Sequence, residues 1–96
     1  MTEVRWTLQA PDDLQAIYDF IGRDSPHYAQ VIVEDILAAI DRLERFPLIG
    51  RHVPERPRED LRELMKPPYR IVCRVGEVIR ILTIFRASRL FPPSLE

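Results

Sequence analysis

Apolar residues recur every second position along the last third of the chain and every third or fourth position along the first half. Tyr69-Arg70-Ile71-Val72-Cys73-Arg74-Val75 alternates as a strand does, and Val78-Ile79-Arg80-Ile81-Leu82-Thr83-Ile84-Phe85 runs back. Between them Gly76-Glu77 is a two-residue connection with glycine first, as a type II′ hairpin requires. With Val75 opposite Val78, Cys73 lies opposite Arg80, Ile71 opposite Leu82, and Tyr69 opposite Ile84. That face is apolar except for Arg80. The other face carries Arg70 beside Thr83, Val72 beside Ile81 and Arg74 beside Ile79, and Arg86 and Arg89 follow the strand end. The pattern predicts a sheet covered on one side. On its arginine side an exposed apolar set of Val72, Ile79, Ile81 and Phe85 marks an interface.

The first half adds what covers the sheet. Val4, Trp6 and Leu8 alternate with polar residues as a first strand. Pro11 suits the first turn of a helix, with Asp12 and Asp13 near its positive end. Leu14, Ile17, Tyr18 and Ile21 then form one apolar stripe that ends at Gly22. Ser25-Pro26 reads as an N-cap and first helical residue. Ala29, Ile32, Val33, Ile36, Ile40 and Leu43 keep helical spacing to Phe46, where Pro47 stops it. Leu48 to Asp60 shows no period and reads as an ordered loop. Leu61 to Lys66 is a short strand that Pro67-Pro68 turns into the hairpin. With Lys66 opposite Tyr69, Glu63 falls opposite Val72, within diagonal reach of Arg70 or Arg74. The tail after Arg89 is too short for a further helix of consequence.

The order β-α-α-β-β-β predicts an α+β fold over residues 1–96, a twisted antiparallel sheet with an N-terminal helical hairpin packed on one face. Tyr69, Ile71, Cys73, Val75, Leu82 and Ile84 then pack beneath Leu14, Ile17, Ile21, Ile32, Ile36, Ile40 and Leu43.

Composition narrows the function more than the fold. Fourteen basic residues against 15 acidic ones leave no whole-molecule field to draw in nucleic acid or a membrane. A single cysteine, Cys73, excludes an internal disulfide, and its place in a strand reads as a small buried apolar residue. The charged start Met1-Thr2-Glu3-Val4-Arg5-Trp6 has no secretory h-region. No apolar run approaches the roughly 20 residues of a membrane span, so a cytoplasmic location is expected. His27 and His52 stand alone without metal-ligand spacing, and nothing in the chain calls for a metal or cofactor. No phosphate cradle and no G-x-S-x-G are present, and no residue is assigned a catalytic role. The helix carboxylates Glu34, Asp35, Asp41 and Glu44 alternate with Arg42 and Arg45 as a solvated face. The candidate binding residues are arginines: Arg70, Arg74, Arg86 and Arg89 converging on the sheet edge, with Arg51 approaching from the loop. Guanidinium groups bind carboxylate or phosphate through paired donors. Glu55, Glu63, Glu77 and the C-terminal carboxylate are the internal partners that compete for them.

At these residues the chain resembles the RelE/ParE toxin superfamily of bacterial toxin–antitoxin systems, and specifically its ParE branch, over almost its whole length. Trp6 with Ala10 and Asp13-Leu14-x-x-Ile17 looks like the family's opening. Phe46-Pro47-Leu48-Ile49-Gly50-Arg51 resembles its P-x-x-G-R. Leu61-Arg62-Glu63-Leu64 followed by Tyr69-Arg70-Ile71-Val72 resembles R-E-L … Y-R-I-V-Y, with Cys73 where the family often has tyrosine. Arg86-Ala87-Ser88-Arg89 resembles H-x-x-R, with Arg86 replacing histidine. The resemblance implies a plasmid-stabilisation type of toxin that forms a hetero-oligomer with a cognate antitoxin protein and does not itself bind DNA sequence-specifically. It also implies rival activities. The RelE branch cleaves messenger RNA on the ribosome with strand lysines, arginines and a C-terminal acid or base, whereas the ParE branch poisons DNA gyrase. Here the matching strand offers Leu61, Glu63 and Met65 in place of lysines, and no tyrosine or histidine follows Arg89. The resemblance therefore favours gyrase as the target over messenger RNA. A non-toxic module that only binds the antitoxin is the third reading.

Overall fold

Ser25 starts the longer helix as its side chain predicts. Its Oγ accepts the Tyr28 N–H at 3.1 Å, and Pro26 fills the first helical position, where no N–H is needed. In this computed structural model, which describes residues 1–95, the elements are β1 (Glu3–Trp6), α1 (Gln9–Gly22), α2 (Pro26–Asp41), β2 (Arg51–His52), β3 (Leu61–Lys66), β4 (Tyr69–Val75) and β5 (Val78–Arg86). Helix α2 is shorter than its apolar period. It tightens at Arg42–Glu44 into one 3₁₀ turn, which keeps Leu43 buried while the chain turns before Pro47.

The α+β architecture is the one the sequence predicts, a helical hairpin on one face of a sheet ordered β1-β5-β4-β3-β2. Two strands differ from expectation. β1 joins the edge of the sheet parallel to β5, with Glu3 opposite Val78 and Trp6 opposite Ile81, so the sheet is mixed. Within the stretch expected to be loop, Arg51–His52 pairs antiparallel with Glu63 and Arg62 as β2. Gly50 permits this approach: a Cβ there would sit 2.8 Å from the Glu63 carbonyl oxygen.

The β3–β4 register is as predicted, with Lys66 opposite Tyr69 and Glu63 opposite Val72. The β4–β5 register is not. Val75 pairs with Ile79, so three residues make the connection, and no glycine adopts the positive φ of a type II′ turn. Arg74 lies opposite Arg80 and Cys73 opposite Ile81. Then a β-bulge intervenes, and Val72 faces Thr83 with Leu82 as the extra residue. Each strand face therefore changes hands along β5. Ile79 and Ile81 lie under the helices before the bulge and Ile84 after it, while Leu82 turns to the opposite side.

Thr7 and Asp13 stabilise the bulge. Thr7 Oγ1 donates to the carbonyls of Ile81 at 2.9 Å and Leu82 at 3.1 Å. Asp13 Oδ2, reaching from α1, accepts the Thr83 hydroxyl at 2.6 Å and the Ile84 N–H at 3.1 Å. Backbone groups beyond the end of β1 thus find side-chain partners.

The helix-side core contains Ile17, Ile32, Ile36, Ile40 and Leu43 against Tyr69, Ile71, Cys73 and Ile84, with Leu14, Ile21 and Val75 at its margin. All of these are as predicted; Leu82 is the exception. It joins Val53, Leu61 and Val72 in a second cluster on the other face, covered by Phe85, Phe91 and Leu95. The expected exposed apolar set is therefore absent. Ile79 and Ile81 are buried beneath the helices, and Val72 is sealed under the loop and the C-terminal tail. The tail is too short for a helix, yet it closes the sheet's second face. No helix among the described residues is long and apolar enough to cross a membrane.

Candidate functional site

The five arginines singled out by the sequence fall into three groups. Arg70 is at the centre of the second face with its side chain 8% exposed. Its Nε and Nη2 reach Glu63 Oε1 at 2.7 and 2.6 Å. Nη1 and Nη2 grip the two oxygens of Glu55 at 2.8 and 2.7 Å, a bidentate fork. The plane of the guanidinium stands 5.1 Å from the Phe85 ring and 5.5 Å from the Phe91 ring. Arg51, across Glu63 from Arg70, donates from Nε to Glu63 Oε2 at 2.6 Å and is largely exposed. Arg74 lies farther along β4, 3.4 Å from Asp60 Oδ2.

This network shifts its members' protonation in the direction of charge. Hydrogen bonds from Arg70, opposed by partial burial, hold the Glu55 carboxyl down at about 2, and the same bonds raise the Arg70 guanidinium. Glu55 was legible only as one of several carboxylates available to the arginines; the loop carries it to Arg70 across the β3–β4 pair. Arg56, from the same loop, fixes the tail. It donates from Nη2 to the Pro93 carbonyl at 2.6 Å and sits 5.4 Å from the Phe91 ring, which meets Phe85 edge-on at 5.9 Å.

Arg86 and Arg89 are elsewhere. The chain past β5 makes a turn, with the Arg89 N–H donating to the Arg86 carbonyl at 2.9 Å. Both side chains line a cleft of about 630 Å³ between α1 and the end of the β4–β5 hairpin. Its apolar surface comes from Ile17, Phe20, Tyr69, Ile84 and Phe85, and Arg23, Asp13 and Asp19 also line it. Arg23, Asp13 and Phe20 were missed as site residues. Their helical positions read as helix start, helix end and a gap in the stripe, and only the fold sets them beside Arg86 and Arg89. The expected convergence of four arginines on one edge is thus divided, with Phe85 touching both the Arg70 network and the cleft.

Cys73 is buried, and burial pushes its thiol up to about 12, far from a reactive thiolate. His27 and His52 are exposed. Among the described residues no group of three His, Cys, Asp or Glu side chains is placed to hold a metal ion.

Residues 4–91 match the family model described as the ParE toxin of the type II toxin–antitoxin system, parDE. The chain belongs to the ParE toxin family. It is similar to Y4kP of Sinorhizobium fredii, 36% identical over 94 residues, or 96% of this chain and 95% of that protein. It is also similar to toxin RelE2 of Caulobacter vibrioides, 39% identical over 92 residues, which span 94% of this chain and 100% of the relative. A solved chain of the chromosomal ParDE toxin–antitoxin system of P. aeruginosa superimposes with a TM-score of 0.73 at 32% identity, covering 90% of this chain and 96% of that one. The family's R-E-L and Y-R-I-V segments are the two strands that carry Glu63 and Arg70. In this ParE-family toxin they are joined by an internal ion-pair network rather than presented to solvent.

Proposed function

We propose that this toxin acts on DNA gyrase in the cytoplasm, by protein–protein contact, and is neutralised by a cognate antitoxin. The observation that carries the reading is the state of Arg70. A nuclease working on this face needs cations free to meet a phosphate and a group to move a proton. Arg70 instead has its donors committed to Glu55 and Glu63 beneath Phe91. β3 presents Leu61, Glu63 and Met65 along the Arg70-facing side, and the tail from Leu90 to Leu95 contributes no acid or base. Positioned acid–base groups are worth about 10²–10⁴ in rate, and their lack argues against cutting RNA. Arg86 and Arg89, exposed and outside the network, are the residues of choice for contact with a partner's carboxylates.

The test adds the purified toxin in parallel to a gyrase supercoiling assay and to ribosomes translating a defined message. Loss of supercoiling with the message intact is expected. The rival reading, a ribosome-dependent ribonuclease, draws on the name of the Caulobacter relative, RelE2. Codon-specific cleavage with supercoiling unaffected would establish it instead. Binding to an antitoxin without any effect on growth would mark a non-toxic module.

A further inference from the structure

The cleft beside Arg86 and Arg89 does not end at α1. A second hollow of about 370 Å³ shares Asp13, Phe85 and Arg89 with it and continues to Leu90, Ser94 and Leu95. Together they form one groove between α1 and the last strand with its tail. Phe20 stands 62% exposed at one end and Leu90 94% exposed at the other. Neither contact within the fold nor the core explains two large apolar side chains held open at the ends of a groove.

The charges of the groove are unequal in availability. Asp13 is spent on the fold: Oδ1 accepts from Gln9, and Oδ2 accepts from Thr83 and the Ile84 N–H. Asp19 accepts from Gln15 at 2.9 Å. Among the described residues no carboxylate pairs with Arg23, Arg86 or Arg89. Three open guanidinium groups above apolar walls call for an occupant with carboxylates between apolar side chains. An acidic peptide segment laid lengthwise meets both demands, as peptides do in helix-binding grooves. A nucleic-acid backbone fits less well, because its phosphates would pass the carboxylates of Asp13 and Asp19 in the same wall.

We infer that this groove seats an acidic segment of the antitoxin, its apolar side chains resting between Phe20 and Phe85 and its carboxylates held by Arg23, Arg86 and Arg89. The inference rests on the reading of this chain as a toxin held by an antitoxin and names the surface that does the holding.

The test uses a phage-displayed library of random short peptides, selected on the intact protein and then on R86E/R89E. Selected sequences should carry Asp or Glu flanking apolar residues. The synthesised peptides should bind about tenfold or more weakly to the double variant, and more weakly at high salt. Circular dichroism confirms that the variant is folded, and R23E, on the opposite wall, reads the same groove independently. Neutral or basic selected sequences, equal binding to all variants, or displacement of the peptides by a single-stranded oligonucleotide would overturn the inference. Growth arrest is scored separately. Arrest with no acidic peptides selected removes the groove and spares the toxin reading, whereas acidic peptides without arrest keep the groove and remove the toxin reading.

Discussion

Glu63 holds two arginines with one carboxylate, and they do not matter equally. Its side chain is fully buried between Arg51, 59% exposed, and Arg70, 8% exposed. Removing one partner of a buried pair leaves the other charge stranded at a cost of about 3–5 kcal/mol. An exposed pair contributes less than about 1 kcal/mol. Glu63→Ala should therefore lower the urea midpoint severely, while Arg51→Ala should barely move it. Glu55 adds a pH dependence. Its carboxyl is depressed from 4.5 to about 2 by the Arg70 hydrogen bonds. A depressed carboxylate stabilises above its unfolded value and loses that contribution as the pH falls through the folded one. Stability should thus decline as the pH drops from 4.5 towards 2. The decline should be shallower in Glu55→Gln, compared by urea midpoints over that range, and modest because Glu55 is half in solvent.

At the scale of elements, the bulge at Leu82 decides which residues face the helices. Its support by Asp13 is testable. Asp13→Ala strands the Thr83 hydroxyl and the Ile84 N–H, and an unsatisfied buried donor costs about 1–3 kcal/mol. A thermal melt should show the loss, and Asp13→Asn, which keeps an acceptor oxygen, should recover part of it. The bulge also explains what was legible. β4 alternates cleanly between Tyr69, Ile71 and Cys73 on one side and Arg70 and Arg74 on the other, so its face could be read directly. β5 is apolar at Ile79, Ile81, Leu82 and Ile84, on both parities, and such a strand fits either register equally well. The choice depends on Thr7 and Asp13, remote in sequence, so local pattern does not contain it. The same holds for the arginines. Their number and strand positions were visible, but the assignment of Arg70 to the interior and Arg86 to the cleft follows from the loop at Glu55 and the tail at Phe91.

For the whole molecule, the tail turns a one-sided sheet into a two-sided one. Phe91 and Leu95 close over Val72 and Leu82. A chain ending at Leu90 should still fold, because the helix-side core is intact. It should bind a dye specific for exposed apolar surface, which the full chain does not. Phe91→Ala should cost at most about 2 kcal/mol, since the ring is only partly buried.

Coverage from both sides places the thiol of Cys73 at the most inaccessible point of the chain, 0% exposed on the central strand of the sheet. As the chain's sole sulfhydryl, it is a native clock of opening. An alkylating reagent can reach it only when helices and sheet part together, so its labelling rate in dilute denaturant reads global unfolding without any engineered probe.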